Sequence, residues 1–226
     1  MIVASVAALL GLVVGSFLNV VIHRLPLMLD RDWRRQCRDM LHPDQPADDG
    51  PPFNLVRPRS ACPSCQTPIK ARHNVPVLAW LWLRGRCRDC GTRIPARYPL
   101  VEAATAVLFA LVAQRFGATP MALVWMAFGA SLLAAAAIDF DHRIIPDEIS
   151  LGGLVLGLTL VPVARVFEGA PASAAWMHAV TGAALGGGML WIVGFVHARV
   201  CAAAGRRFEH WPEDGEDFPR PRSLDY

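Results

Sequence analysis

The chain has 226 residues, 22 Lys+Arg against 19 Asp+Glu, 54% hydrophobic and 18% charged residues, and a mean hydropathy of +0.34. A soluble domain carries about 25% charge, so an ordinary cytosolic protein is excluded, and a chain this apolar is not disordered either. The net charge of +3 is too small to argue for nucleic acid by itself; what informs is how unevenly the charges are spread.

Residues Met1 to Ile22 hold no Asp, Glu, Lys or Arg. At about 1.5 Å per residue a helix of that length crosses the roughly 30 Å hydrocarbon layer. The basic residues His23 and Arg24 follow this run instead of preceding it, as they would in a signal peptide, so it is expected to be a retained first transmembrane helix. Four further apolar stretches follow: Pro99 to Gln114, Pro120 to Ile138, Ile149 to Ala164 and Ala170 to Ala198. Five crossings are predicted, the second and fourth needing their flanks or a tilt to span. The segment His23 to Tyr98 holds 14 of the 22 Lys+Arg and seven Asp+Glu. The positive-inside rule therefore places it in the cytoplasm and the N-terminus outside. Residues 115–119 and 165–169 then fall outside, and 139–148 and 199–226 return to the cytoplasm. The expected fold class is an all-α membrane protein, a polytopic transmembrane helix bundle with a cytoplasmic four-cysteine zinc-knuckle loop. Its parts are helix 1 (1–22), the loop (23–98), helices 2 to 5 (99–203) and a polar cytoplasmic tail (204–226).

Within the basic segment stand Cys62-Pro-Ser-Cys65 and, 21 residues on, Cys87-Arg-Asp-Cys90. Paired C-x2-C turns at this separation present four thiolates tetrahedrally to one zinc ion. The competing reading, two disulfides, is disfavoured in a reducing cytoplasmic loop. With all four ligands supplied by Cys62, Cys65, Cys87 and Cys90, no position is left for water and the zinc is structural. Cys37 and Cys201 have no partner motif and read as ordinary thiols. Lys70, Arg72, Arg84, Arg86, Arg88, Arg93 and Arg97, with Trp80 and Trp82, could line a nucleic-acid surface. Topology and anionic headgroups already explain such a polybasic loop beside a bilayer, so no nucleic acid is expected as partner.

These residues carry a resemblance. Gly15-Ser-Phe-Leu-Asn-Val-Val-Ile-His-Arg-Leu-Pro26, the two Cys pairs, His73-Asn74-Val75-Pro76-Val77, Arg84-Gly85-Arg86-Cys87, Arg97-Tyr-Pro-Leu-Val-Glu102 and Asp139-Phe-Asp-His-Arg-Ile-Ile-Pro-Asp147 occur in the order seen in type IV prepilin peptidases. Over residues about 5 to 195 the chain resembles the bacterial, zinc-knuckle form of that family, which joins a leader peptidase to an N-methyltransferase. The resemblance implies an inner-membrane aspartic protease that removes a short basic leader from prepilins or pseudopilins of pilus or type II secretion systems. It then implies methylation of the new N-terminus with S-adenosylmethionine. Two aspartates on different helices share a proton in such an enzyme: the ionised one activates water and the protonated one polarises the scissile carbonyl.

The family's first aspartate stands seven residues before a proline, which selects Asp139 before Pro146 over Asp141 and Asp147. Asp139 ends a charge-free run, where an ionisable group is a functional candidate by default; the bland alternative is that all three acids are solvated. The second aspartate of the family lies in a Gly-x-Gly-Asp string opening a later helix. No such string occurs here, and Glu213-Asp214-Gly215-Glu216-Asp217 is not its substitute, being polar and followed by no apolar helix. The chain is accordingly expected to stop before that helix and to have weak or no peptidase activity as it stands, the alternatives being a truncated product and a divergent, catalytically incomplete member. A non-catalytic membrane scaffold, docking pilus or secretion components on its zinc loop, is the competing function. The resemblance also puts methyl-donor binding near Gly85 and Arg86, with no nucleotide-binding strand-turn-helix to support it.

Among the remaining residues, Gly11 and Gly15 have the small-xxx-small spacing that lets helices approach closely. Ser16 and Asn19 need partners inside the bundle, either as helix glue or in a substrate groove. Glu102 suits a helix N-terminus; alternatively it pairs with the basic loop or with a basic leader. Gly186-Gly187-Gly188 offers a thin face for a neighbouring or substrate helix.

Overall fold

The computed structural model describes residues 1–42, 52–62, 64–69 and 75–203. Pro63, Lys70, Arg72, His73, Asn74 and the acidic string Glu213 to Asp217 lie outside the described residues. Regular structure among the described residues is entirely helical: α1 (Ile2–Leu41), α2 (Leu78–Trp82), α3 (Arg97–Phe116), α4 (Pro120–His142), α5 (Asp147–Phe167) and α6 (Ala172–Ala203). Five of these, all but α2, are long and apolar enough to cross a membrane.

The chain divides into two units, Met1–Gly153 and a second beginning at Leu154. In the first, α1, α3 and α4 pack together. Their buried positions recur every three or four residues: Ala7, Gly11, Gly15, Leu18 and Ile22 on α1, Val101, Thr105, Phe109 and Ala113 on α3, and Ala122, Met126, Ala130, Ala134 and Ile138 on α4. Such a stripe of mostly small residues is how helices associate when lipid removes the hydrophobic incentive to meet. The large apolar side chains point the other way. Val13, Phe17, Leu123, Phe128 and Leu132 are exposed, as a lipid-facing surface requires.

The first helix differs from the sequence expectation in length. The loop was expected from His23, but α1 passes Pro26 and ends at Leu41. A proline inside a helix removes one backbone N–H and crowds the preceding turn. The helix nonetheless continues through a polar stretch closed by the Arg34–Asp30 and Arg35–Asp32 pairs, at 2.8 and 2.7 Å, spacings that favour helix. The non-helical part of the basic segment therefore begins at His42. At α4, the Thr119 side chain accepts from the Ala122 N–H, Pro120 stands at the helix start, and Arg143 closes the end in a left-handed conformation. Pro146, expected at this turn, offers its carbonyl to the Ile149 and Ser150 N–H groups and opens α5.

In the second unit α6 is apolar on every side. Met189, Leu190 and Trp191 are all exposed, and a Cβ added at Gly186, Gly187 or Gly188 would meet nothing within 4 Å.

Candidate metal centre and membrane-boundary acids

The four knuckle cysteines come together: one ligand sulfur from each of Cys62, Cys65, Cys87 and Cys90 lies within 4.8 Å of the others. A tetrahedral zinc at about 2.3 Å from each thiolate needs sulfurs about 3.8 Å apart, and Cys62 Sγ and Cys90 Sγ are 3.7 Å apart. All six cysteines are free, so the disulfide reading is not the one this geometry adopts. The four sulfurs fit a structural zinc ion.

The two halves of the knuckle repeat each other residue by residue. The N–H of Cys62 donates to the Thr67 carbonyl and that of Gln66 to the Cys62 carbonyl; the N–H of Cys87 donates to Thr92 and that of Gly91 to Cys87. Gln66 and Gly91 both have positive φ, 56° and 73°. Ala61 pairs with Pro68, and Arg86 with Arg93. The Thr67 and Thr92 hydroxyls lie 3.3 Å from Cys65 Sγ and Cys90 Sγ. The motif is thus Cys-x-x-Cys-x-Thr twice over, a repeat visible in the sequence but hidden behind the shorter cysteine spacing. The Thr92 hydroxyl and backbone N–H hold the Cys90 thiol down at about 6, and those of Thr67 lower Cys65. At Cys62 the N–H groups of Cys65 and Ser64 pull downwards, but desolvation and the neighbouring thiols of Cys65 and Cys87 outweigh them and leave it at about 11. The cluster holds its first thiolate on Cys90.

Two tethers fix this loop to the helices. Arg24, 8% exposed, donates to the carbonyls of Asn54 at 2.9 Å and Pro58 at 2.7 Å, and Arg31 stacks on Phe53. Glu102 is buried on α3, where its carboxylate accepts the Val77 N–H at 2.6 Å with the Ser16 hydroxyl also in hydrogen-bonding reach. Glu102 therefore holds the backbone of the Val75-Pro76-Val77 turn, a role outside the alternatives that the sequence suggested. Val77 has a φ of 59°, unusual for a β-branched residue. The Asn19 amide donates to the Tyr98 carbonyl of α3 at 3.0 Å, so Ser16 and Asn19 both act as helix glue.

Gly85 and Arg86 differ in what they can do. Gly85 is buried with a φ of 65°, and a Cβ there would lie 2.8 Å from the Trp80 ring. The Trp80 indole N–H in turn donates to the Ile94 carbonyl at 3.1 Å. Gly85 shapes the turn, whereas Arg86 is exposed at its edge.

The acids at the end of α4 are sorted by Arg97. Its guanidinium pairs with the Asp141 carboxylate and also donates to the Ala137 carbonyl at 3.1 Å, tying the start of α3 to the end of α4. Asp139 follows the fully buried Ile138 but is itself exposed. Its carboxylate has no hydrogen bond or ion pair among the described residues, and no second acid is brought against it there. Asp147 opens α5 in a first turn that also holds Glu148, where the helix dipole favours acids.

Residues 9–116 match the bacterial peptidase A24 N-terminal domain, and residues 126–205 match the type IV leader peptidase family. The chain belongs to this family. Three similar curated proteins carry the name prepilin leader peptidase/N-methyltransferase. That of Aeromonas hydrophila is 48% identical over 68% of this chain and 54% of its own length. That of Pseudomonas putida is 44% identical over 89% of this chain and 67% of its own, and that of Neisseria gonorrhoeae 39% identical over 88% and 67%. The chain spans about half to two thirds of these relatives. No solved structure matches it. The family, with five membrane-length helices, makes this a multi-pass inner-membrane protein.

Proposed function

We propose that this chain belongs to a membrane aspartic endopeptidase that removes the leader of type IV prepilins or pseudopilins and N-methylates the exposed amine. The observation that carries this reading is the sorting of the acids by Arg97. Asp141 is paired with Arg97, while Asp139, two residues earlier in α4, keeps a carboxylate with no hydrogen bond or ion pair among the described residues. In this reading ionised Asp139 takes a proton from water as the oxygen attacks the scissile carbonyl. A second, protonated carboxyl polarises that carbonyl and the leaving amine is protonated as the C–N bond breaks. No Gly-x-Gly-Asp string supplies the second carboxyl within the 226 residues, so these residues alone are expected to cleave weakly or not at all. The zinc loop is read as cytoplasmic and the N-terminus as external. Zinc, where bound, holds Cys62, Cys65, Cys87 and Cys90 together and takes no part in hydrolysis. S-adenosylmethionine, when bound, would supply the methyl group; the exposed Arg86 guanidinium would offer an ion pair for its carboxylate, and Gly85 sets the turn that presents Arg86.

The test is a cleavage assay on a prepilin with a basic leader, read by mass spectrometry. It uses the chain itself and a chimaera in which the chain replaces the matching part of the Aeromonas hydrophila relative. The chimaera is expected to cleave, to lose cleavage with Asp139→Asn and to keep some with Asp141→Asn. Undiminished cleavage by the Asp139→Asn chimaera overturns the assignment. Robust, Asp139-dependent turnover by the chain alone overturns the need for a Gly-x-Gly-Asp carboxylate. A zinc-stabilised scaffold that docks pilus or secretion components is the second reading, favoured by the missing string; cleavage by the chimaera decides against it.

A further inference from the structure

The short helix α2 is inside out for a helix in water. Its small residue Ala79 is 7% exposed, whereas Leu78, Leu81 and Trp82 are 63%, 58% and 84% exposed. The three large side chains stand at i, i+3 and i+4 and so share one face. The roll of the helix is fixed, because Trp80 is held on the other side by its bond to Ile94 and its seat on Gly85.

The depth of α2 can be read from its tether. The Val77 N–H, immediately before Leu78, is bound by Glu102, five residues into α3 from Arg97. At about 1.5 Å per residue this lies about 7 Å further along the membrane helix than the Arg97 guanidinium's own residue. An arginine paired with a carboxylate at a helix end marks the headgroup level. On α1 the same level is Ser16, whose neighbour Phe17 is exposed, as Leu100 is on α3. The exposed side chains of α2 thus begin one residue after a tether to a level of α3 at which neighbouring side chains of α1 and α3 are also exposed. Directly after α2 the chain turns basic, with Arg84 and Arg86 both exposed, which complements anionic headgroups.

We propose that Leu78, Leu81 and Trp82 are buried in the interfacial layer of the bilayer, so that α2 is a membrane-inserted element of the zinc loop. The occupant of this face is lipid: acyl chain against Leu78 and Leu81, and the acyl–headgroup boundary against the Trp82 ring. The proposal rests on the membrane reading of α1 and α3 but not on which side of the membrane the loop faces.

The experiment is tryptophan quenching of the full chain in a mixed phosphatidylethanolamine and phosphatidylglycerol bilayer, doped with phosphatidylcholine brominated near the upper part of its acyl chains. The contribution of Trp82 is the wild type minus the Trp82→Phe variant, a change that an 84% exposed ring tolerates without refolding. That contribution is expected to fall at least about twofold with brominated lipid and to resist aqueous iodide. Quenching by iodide with no effect of brominated lipid overturns the proposal. Trp125 on the exposed side of α4, isolated in the same way through Trp125→Phe, separates the two failures. If Trp125 is quenched by brominated lipid and Trp82 is not, α2 is solvated and only the present inference falls. If neither is quenched, the membrane reading falls with it.

Discussion

Gly11→Ala tests whether α1 and α3 are locked by backbone contact. A Cβ at Gly11 would lie 2.7 Å from both the Ala106 Cα and the Thr105 carbonyl oxygen, and one at Gly15 would lie 2.7 Å from the Glu102 Cα. These neighbours are backbone and cannot rotate away. Thr105 offers no slack either, being fully buried with its hydroxyl committed to the Val101 carbonyl at 2.7 Å. One methyl group must therefore push two long helices apart over their whole shared face, loosening the Asn19–Tyr98 and Glu102–Val77 bonds as well. Overpacking of this kind costs about 1–3 kcal/mol. Gly187→Ala, on α6 with nothing within 4 Å, is the internal control and should instead stabilise by roughly 0.5–1 kcal/mol through helix propensity. Denaturant unfolding in detergent micelles, followed by tryptophan fluorescence, reads both. The Gly11→Ala midpoint is expected to fall and the Gly187→Ala midpoint to hold or rise. Equal midpoints for wild type and Gly11→Ala, with Gly11→Ala and Gly15→Ala together also unchanged, would refute the locked interface. The two substitutions share a face and are not expected to add.

Zinc titration at several pH values tests the knuckle. With Cys90 held at about 6 and Cys65 lowered, binding near neutral pH should release fewer than four protons. The number should rise towards four, and affinity should fall more steeply, as pH drops below about 6, because Cys90 must then also lose a proton. Calorimetry in buffers of different ionisation enthalpy counts these protons; four released at every pH would contradict the Thr92–Cys90 arrangement. Gly85→Ala forces a side chain onto a φ of 65° and into the Trp80 ring at 2.8 Å, at a cost on the order of 1–2 kcal/mol from the left-handed backbone alone. It should speed zinc loss to a chelator, so methylation lost with this variant counts as a ligand effect only where zinc retention is unchanged. Glu102→Ala leaves the Val77 N–H without its carboxylate and should destabilise by about 1–3 kcal/mol; hydrogen exchange concentrated at residues 75–82 is the measurement, and unaltered exchange there contradicts the tether.

The helices and the cysteine cluster were legible in the sequence because each follows from a one-dimensional signal. Charge-free runs have the length of a bilayer, and C-x2-C turns have the spacing of a tetrahedral site. The extension of α1 to Leu41 was not legible, since Pro26 and the mixed charges beyond it read as a loop. Whether such a stretch stays helical depends on the Asp30–Arg34 and Asp32–Arg35 pairs and on Arg24 holding Asn54 and Pro58. Glu102 shows the same limit. Its place near the start of α3 agreed with a dipole preference, a basic partner or a leader contact, but its actual partner is a backbone N–H 25 residues earlier in the chain. A side chain's partner can be read from sequence when it lies on the same helix. Across a loop, it requires the fold.

Asp139 and Asp141 illustrate why position along the chain does not say what two nearby acids will meet. They are two residues apart, so on a helix they point about 200° apart. One meets the neighbouring helix and the other faces away from it. The face towards α3 carries Arg97, which is drawn to that end of α4 by the Ala137 carbonyl as well as by Asp141. A carboxylate held against a guanidinium is occupied by that pair, and here it ties the end of α4 to the start of α3. Asp139, on the opposite face, is exposed and has no such partner among the described residues. The Arg97 pair thus separates two acids that lie two residues apart in the sequence: it ties Asp141 to the start of α3 and leaves Asp139 exposed.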